Sequence, residues 1–217
     1  MSTKKEDYLK NLSSPLPLAR LKKWPEGDIR QFWGENPALY AKIFGQVDDL
    51  HKFLSVHSGI DIATHHRDEV LAAQFGTVSQ IKTNRFSLGG LVVYVNSPPL
   101  EDYGGRAVIS LSYAHLDEIS VKEGQEINKG DLIGYEGNTG YVVSGTTPFW
   151  GNAPLGVGTH LHFSGYEFVE RNGIWTRRNE AVGGSFDLLP WLTGDWSGTK
   201  IMLDHVRKLL EFWLLRL

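Results

Sequence analysis

From Val56 onward the chain is built of short apolar, β-branched runs closed by glycine or proline, and that texture restricts it to a sheet protein with tight turns. Val70-Leu71-Ala72-Ala73 and Gly76-Thr77-Val78 read as two short strands around Gly76, and Gly89 to Val95 as a buried one. Ala107 to Ala114, carrying Val108, Ile109, Leu111 and Tyr113, is a further strand that delivers His115 at its end. Val121 to Gly134 has the punctuation of a compact β-hairpin. Asn172-Gly173, between Tyr166–Arg171 and Ile174–Thr176, is a strong two-residue hairpin signal. Residues 137–158 hold six glycines and two prolines with little periodicity, and are expected to form a long loop walling a cleft.

The two ends read differently. Residues 1–50 look like an N-terminal extension, with turns at Ser13–Leu18 and Pro25-Glu26-Gly27. Within it, Asp28 to Phe44 predicts two short helical segments either side of Gly34-Glu35-Asn36-Pro37. Residues 51–180 form the main domain, and 181–217 a C-terminal extension. Leu203, Val206, Leu210, Trp213 and Leu217 make an apolar stripe that predicts an amphipathic helix over 200–217. That helix either packs on its own domain or serves self-association or membrane contact. The class is mainly β, α+β overall.

Composition excludes more than it selects. A net charge of −3 gives no reason to expect nucleic acid. With no cysteine in 217 residues there is neither a disulfide framework nor a thiolate metal site. The N-terminus lacks the apolar stretch of a Sec signal peptide, and no run is long enough for a transmembrane helix.

The chemistry concentrates in a few polar groups at strand ends and bends. His160-Leu161-His162-Phe163 reads as a strand whose imidazoles share one face, about 6.5–7 Å apart, with Leu161 turned into a core. In His57-Ser58-Gly59-Ile60-Asp61, a fully extended chain would hold the imidazole and carboxylate about 13 Å apart, too far to share one ion. Gly59 permits the bend that closes that gap. His115 is the fifth member. Two imidazoles and a carboxylate are a recognised set for catalytic zinc, leaving the other histidines as bases or transition-state donors. His51, His65, His66 and His205 lack such partners and read as surface or structural.

These motifs, in order, resemble the lysostaphin/LytM-type zinc endopeptidases. They are His57-Ser-Gly-Ile-Asp61, Tyr113-Ala-His115-Leu, the Val121-to-Gly140 run and His160-Leu-His162-Phe, spanning about residues 53–168. The resemblance implies a two-layer antiparallel β-sheet core with the metal in a groove. It assigns His57, Asp61 and His162 as ligands of a single zinc ion, and His160 and His115 as catalytic residues. It further implies hydrolysis of peptide bonds in bacterial peptidoglycan, in stem peptides or cross-bridges. The site of action would be the cell wall, reached by release at lysis, carriage on a virion or a non-Sec route. Departures include His65-His66-Arg67-Asp68-Glu69, where small residues and a Gly-Thr-Pro turn are usual, and Thr159, where proline is frequent.

Other classes fit less well. A non-catalytic wall-binding or regulatory domain on the same fold typically loses ligands, whereas all five positions are kept here. A sugar-phosphotransfer carrier shares a histidine before Gly-Ile-Asp but has no His-x-His strand. A lipoyl-type carrier would need a lysine at its hairpin tip.

Overall fold

The computed structural model describes residues 3–36, 56–178 and 184–193. The expected helix over 200–217, the second helical segment before Phe44, and His51 and His205 lie outside these residues.

One strand organises the rest. β12 (Leu161–Arg171) turns Leu161 and Phe163, both fully buried, to one side, while the half-buried His162 and Tyr166 face the other. On one edge it pairs with β6 (Ala107–Leu116) from His162 opposite Ala114 to Val169 opposite Ala107. On the other edge it takes β2 (Ile60–Ile62), β14 (Ser185–Phe186) and β13 (Ile174–Arg177) in turn. Asn172 and Gly173 both have positive φ (55° and 79°), the requirement of the Asn-Gly hairpin turn that joins β12 to β13.

Among the described residues the main sheet has nine antiparallel strands. Its path runs β1 (Ile29–Gln31), β2, β12, β6, β5 (Leu91–Asn96), β4 (Gly76–Lys82), β8 (Glu126–Ile127). A three-stranded sheet of β3 (Glu69–Leu71), β9 (Leu132–Tyr135) and β7 (Glu118–Ile119) shares one hydrophobic core with it. Tyr113 and Phe163, with ring centroids 5.0 Å apart, lie in that core, and the Tyr113 hydroxyl accepts the Ala73 N–H at 2.9 Å.

The N-terminal segment belongs to the same core. Helix α1 (Lys5–Leu9) and the residues after it bury Tyr8, Leu9, Leu12 and Leu16. Backbone bonds from Leu71 N–H to the Pro15 carbonyl (2.8 Å) and from Ser13 N–H to the Ala73 carbonyl (3.1 Å) tie it down.

Three expectations are corrected. Residues 28–33 are not helical: Ile29–Gln31 is a strand on β2, because Ile29 buries fully opposite Ile62 and pairing overrides local spacing. Residues 121–134 do not form a hairpin. The turn at Asn128–Asp131, where Gly130 has φ 92°, passes the chain from β8 on β4 to β9 on β3 and β7. The stretch 137–158 is no plain loop. It holds the hairpin β10 (Tyr141–Ser144) and β11 (Thr147–Trp150), closed by Gly145 (φ 60°) and Thr146.

Candidate metal centre

The face of β12 and β6 turned away from the core floors a groove of about 1370 Å³, and the hairpin β10–β11 contributes to its wall. His57, Asp61, His115, His160 and His162 all line it. Asp61 comes from β2, opposite His162 on β12, so one pair of strands sets both. His160 stands just before β12, its N–H bonded to the Gly137 carbonyl at 3.1 Å. The turn before β2 folds His57 back until its Nε2 is 3.0 Å from Asp61 Oδ1, which closes the gap an extended chain would leave. Gly59 makes this fold-back fit. A Cβ there would lie 2.6 Å from the Phe163 carbonyl oxygen and 2.9 Å from His162 Nε2.

His115 reaches the groove by a different device. Strict alternation on β6 would send it to the core side with Tyr113, but its φ of 62° is left-handed, beside a register shift against β5. The bulge re-aims the ring into the groove. Its centroid is 4.6 Å from that of His160 and 6.0 Å from that of His162. A left-handed histidine is uncommon, and such conformations gather at functional sites.

Hydrogen bonding fixes which nitrogen of each ring faces inward. His57 Nδ1–H donates to the Phe32 carbonyl (2.9 Å), His115 Nδ1–H to the Thr139 carbonyl (2.7 Å) and His160 Nδ1–H to the Gly158 carbonyl (2.8 Å). A carbonyl can only accept, so each of these rings turns Nε2 to the groove. His162 is reversed: Nε2 is 2.8 Å from Ser164 Oγ, and Nδ1 points to Asp61. Sequence reasoning missed these partners. Phe32, Thr139 and Gly158 act through their backbone, which carries no side-chain signal, and Ser164 shows only its place two residues from His162 on the same face.

His57 Nε2, His162 Nδ1 and Asp61 Oδ1 therefore converge, 2.9, 2.8 and 3.0 Å apart. The Phe32 carbonyl commits His57 Nδ1–H, and with Ser164 Oγ as the acceptor of His162 Nε2–H the neutral rings set three lone pairs opposite one another, a donor set that suits a cation. Donor atoms about 2.0–2.1 Å from a tetrahedral ion lie about 3.3 Å from each other, so the triad fits a small divalent metal with slight opening. A proton is the other means of relief. Burial opposes the charged form of His57, yet the Asp61 carboxylate beside it leaves its pKa raised. Burial also works against the Asp61 charge, but His57 and His160 hold its carboxyl well below the usual range. Burial pushes His115 far down, reinforced by His160 and His162, so it is neutral at pH 7.

His65 and His66 also line the groove. His65 is exposed and 3.3 Å from Asp68, whereas His66 Nδ1 lies 3.2 Å from Thr159 Oγ1.

A strand-built groove holding a His-Asp-His triad and two further imidazoles defines a metallopeptidase-like site, and residues 55–173 match the model of peptidase family M23. The chain belongs to that family. An uncharacterized metalloprotease of Haemophilus influenzae is 30% identical over 112 residues, covering 52% of this chain and 18% of its own length. A zinc-containing peptidase from Vibrio cholerae is 22% identical with a TM-score of 0.47, covering 74% of this chain and 35% of that one. The antimicrobial peptidase lysostaphin from Staphylococcus simulans is 18% identical with a TM-score of 0.47, covering 92% and 57%. The chain thus spans less than a fifth of the Haemophilus protein and about a third of the Vibrio peptidase.

Proposed function

We propose that this chain is a zinc-dependent endopeptidase that hydrolyses peptide bonds of bacterial peptidoglycan. The observation that carries the reading is the convergence of three metal-competent donor atoms beside two further imidazoles in an open groove. His57, Asp61 and His162 would hold the ion, and two nitrogens with one carboxylate oxygen suit zinc better than the oxygen-seeking cations. Bound there, zinc supplies Lewis acidity and makes hydroxide available near neutrality.

The chain's own residues do the remainder. Asp61 stays ionised, so it neutralises cationic charge rather than moving protons. His57 and His162 are oriented by Phe32 and Ser164. His160 and His115 present Nε2 to the groove, each anchored through Nδ1. Either can accept a proton from the attacking water and, once protonated, donate to the oxyanion or the leaving nitrogen. Burial keeps His115 unprotonated, so it is ready to accept at neutral pH.

Purified cell walls incubated with the full chain, with mass spectrometry of the released fragments, test the reading and name the bond cut. Equal solubilisation by a ligand-replaced variant would defeat it.

A further inference from the structure

The turn that follows β2 is fastened at both ends by one residue. At its start, the Thr64 N–H and hydroxyl both donate to the buried Glu136 carboxyl, at 3.1 and 2.6 Å. At its end, the Arg67 N–H donates to the Glu136 carbonyl at 2.8 Å, and the Glu136 N–H to the Asp68 carbonyl at 2.9 Å. The Arg67 guanidinium adds bonds to Asp117 and Glu118. His66 sits between these fixed points. The residue after Glu136 reaches the site: the Gly137 carbonyl accepts the His160 N–H.

The segment that leads into His160 has fewer restraints of its own. Gly156 and Gly158, with φ of 76° and 68°, precede Thr159, and glycine resists a change of φ least. Asn138 Nδ2 holds the Pro154 and Val157 carbonyls, at 2.8 and 2.9 Å, and stops short of Thr159. One side chain crosses to this point from the fastened turn: His66 Nδ1 lies 3.2 Å from Thr159 Oγ1. The other ring nitrogen, Nε2, is buried with no hydrogen-bond partner among the described residues. A buried nitrogen left unpaired is costly, so the contact with Thr159 is the polar contact that fixes the ring in place.

We infer that His66 is a positioning residue for His160, acting through the Thr159 hydroxyl, which rests on the peptidase reading above. Gly137 holds the His160 main chain directly, and His66 holds the residue before it. Both ties lead back to the turn that Glu136 grips, so the imidazole of His160 is registered against β2, the strand that carries Asp61. His66 itself lies outside the triad.

The test reads position and turnover separately. Amide hydrogen exchange at His160 is followed by NMR in the zinc-loaded full chain, and fragment release is measured over a range of cell-wall concentrations. His66→Ala should speed exchange at the His160 amide by about three- to tenfold, the worth of one net hydrogen bond. It should also lower kcat by about 10–100-fold with KM unchanged, as a displaced proton-transfer group does. Thr159→Val keeps the shape and drops the hydroxyl, so it should reproduce both changes, and it carries the test if alanine at position 66 disturbs the turn. The double variant should add nothing to either single change. Thr159→Ser keeps the hydroxyl and should keep both wild-type values. Unchanged His160 exchange in both single variants, or losses that add in the double variant, overturns the inference. So does a rise in KM alone for His66→Ala, which would place His66 on the substrate instead. The peptidase reading fails on a different result: wild-type protein that releases no fragments from cell walls, even where His160 exchange still responds to His66→Ala.

Discussion

The Nδ1 of His115 lies 2.7 Å from the carbonyl oxygen of Thr139, and this contact holds the ring with Nε2 turned to the groove. The ring sits outside the triad, so its removal separates chemistry from metal binding. His115→Ala should keep its zinc while kcat falls by about 10²–10⁴-fold. Metal analysis and steady-state rates on the same preparation check this.

Removing a ligand has the opposite signature. His162→Ala should lose both metal and activity. Ser164→Ala, which takes away the partner of His162 Nε2, should weaken zinc by about 10–100-fold while leaving the fold intact. Competition with a chromophoric chelator measures both.

Gly59 tests how closely β2 approaches β12. An alanine in place of glycine ordinarily gains about 0.4–1 kcal/mol through the unfolded chain. Here the new methyl would meet the Phe163 carbonyl oxygen at 2.6 Å, and backbone cannot step aside cheaply. Gly59→Ala should therefore lose about 1–3 kcal/mol by urea unfolding, along with tight zinc binding.

Glu136 sets a pH dependence. Its buried carboxyl accepts the Thr64 hydroxyl at 2.6 Å, yet burial raises its pKa from 4.5 to about 7. The folded protein then holds a proton the unfolded chain has released between those values, so stability falls as pH rises through that window. The contribution is about 3 kcal/mol across it. Glu136→Gln cannot titrate, and should be more stable than wild type at pH 8 and no more stable at pH 4. Thermal melts across that range decide.

The site was more legible than its supports. His57, Asp61, His115, His160 and His162 were nameable because side-chain identity and chain order carry them. The carbonyls of Phe32, Thr139 and Gly158 were not, since any residue supplies one. Turn chemistry was read correctly at Asn172-Gly173, where the partners are adjacent in sequence. It misled at Asn128–Asp131, where the turn is real but β8 and β9 find distant partners in different sheets. Tyr8, Leu9, Leu12 and Leu16 fall at helical spacing, yet the helix ends at Leu9, and the burial of the later positions depends on space left by other elements.

The span matched by the family model begins at residue 55, whereas Phe32, whose carbonyl orients His57, and β1, which flanks β2, lie before it. A fragment cut to that span would retain every side chain of the triad and lose the acceptor that holds His57 Nδ1 and turns Nε2 to the groove. The edge of β2 would be stripped as well, exposing the backbone next to Asp61. What the family model spans and what orients the His57 imidazole are separate stretches of polypeptide, and an excision guided by the first would dismantle the second.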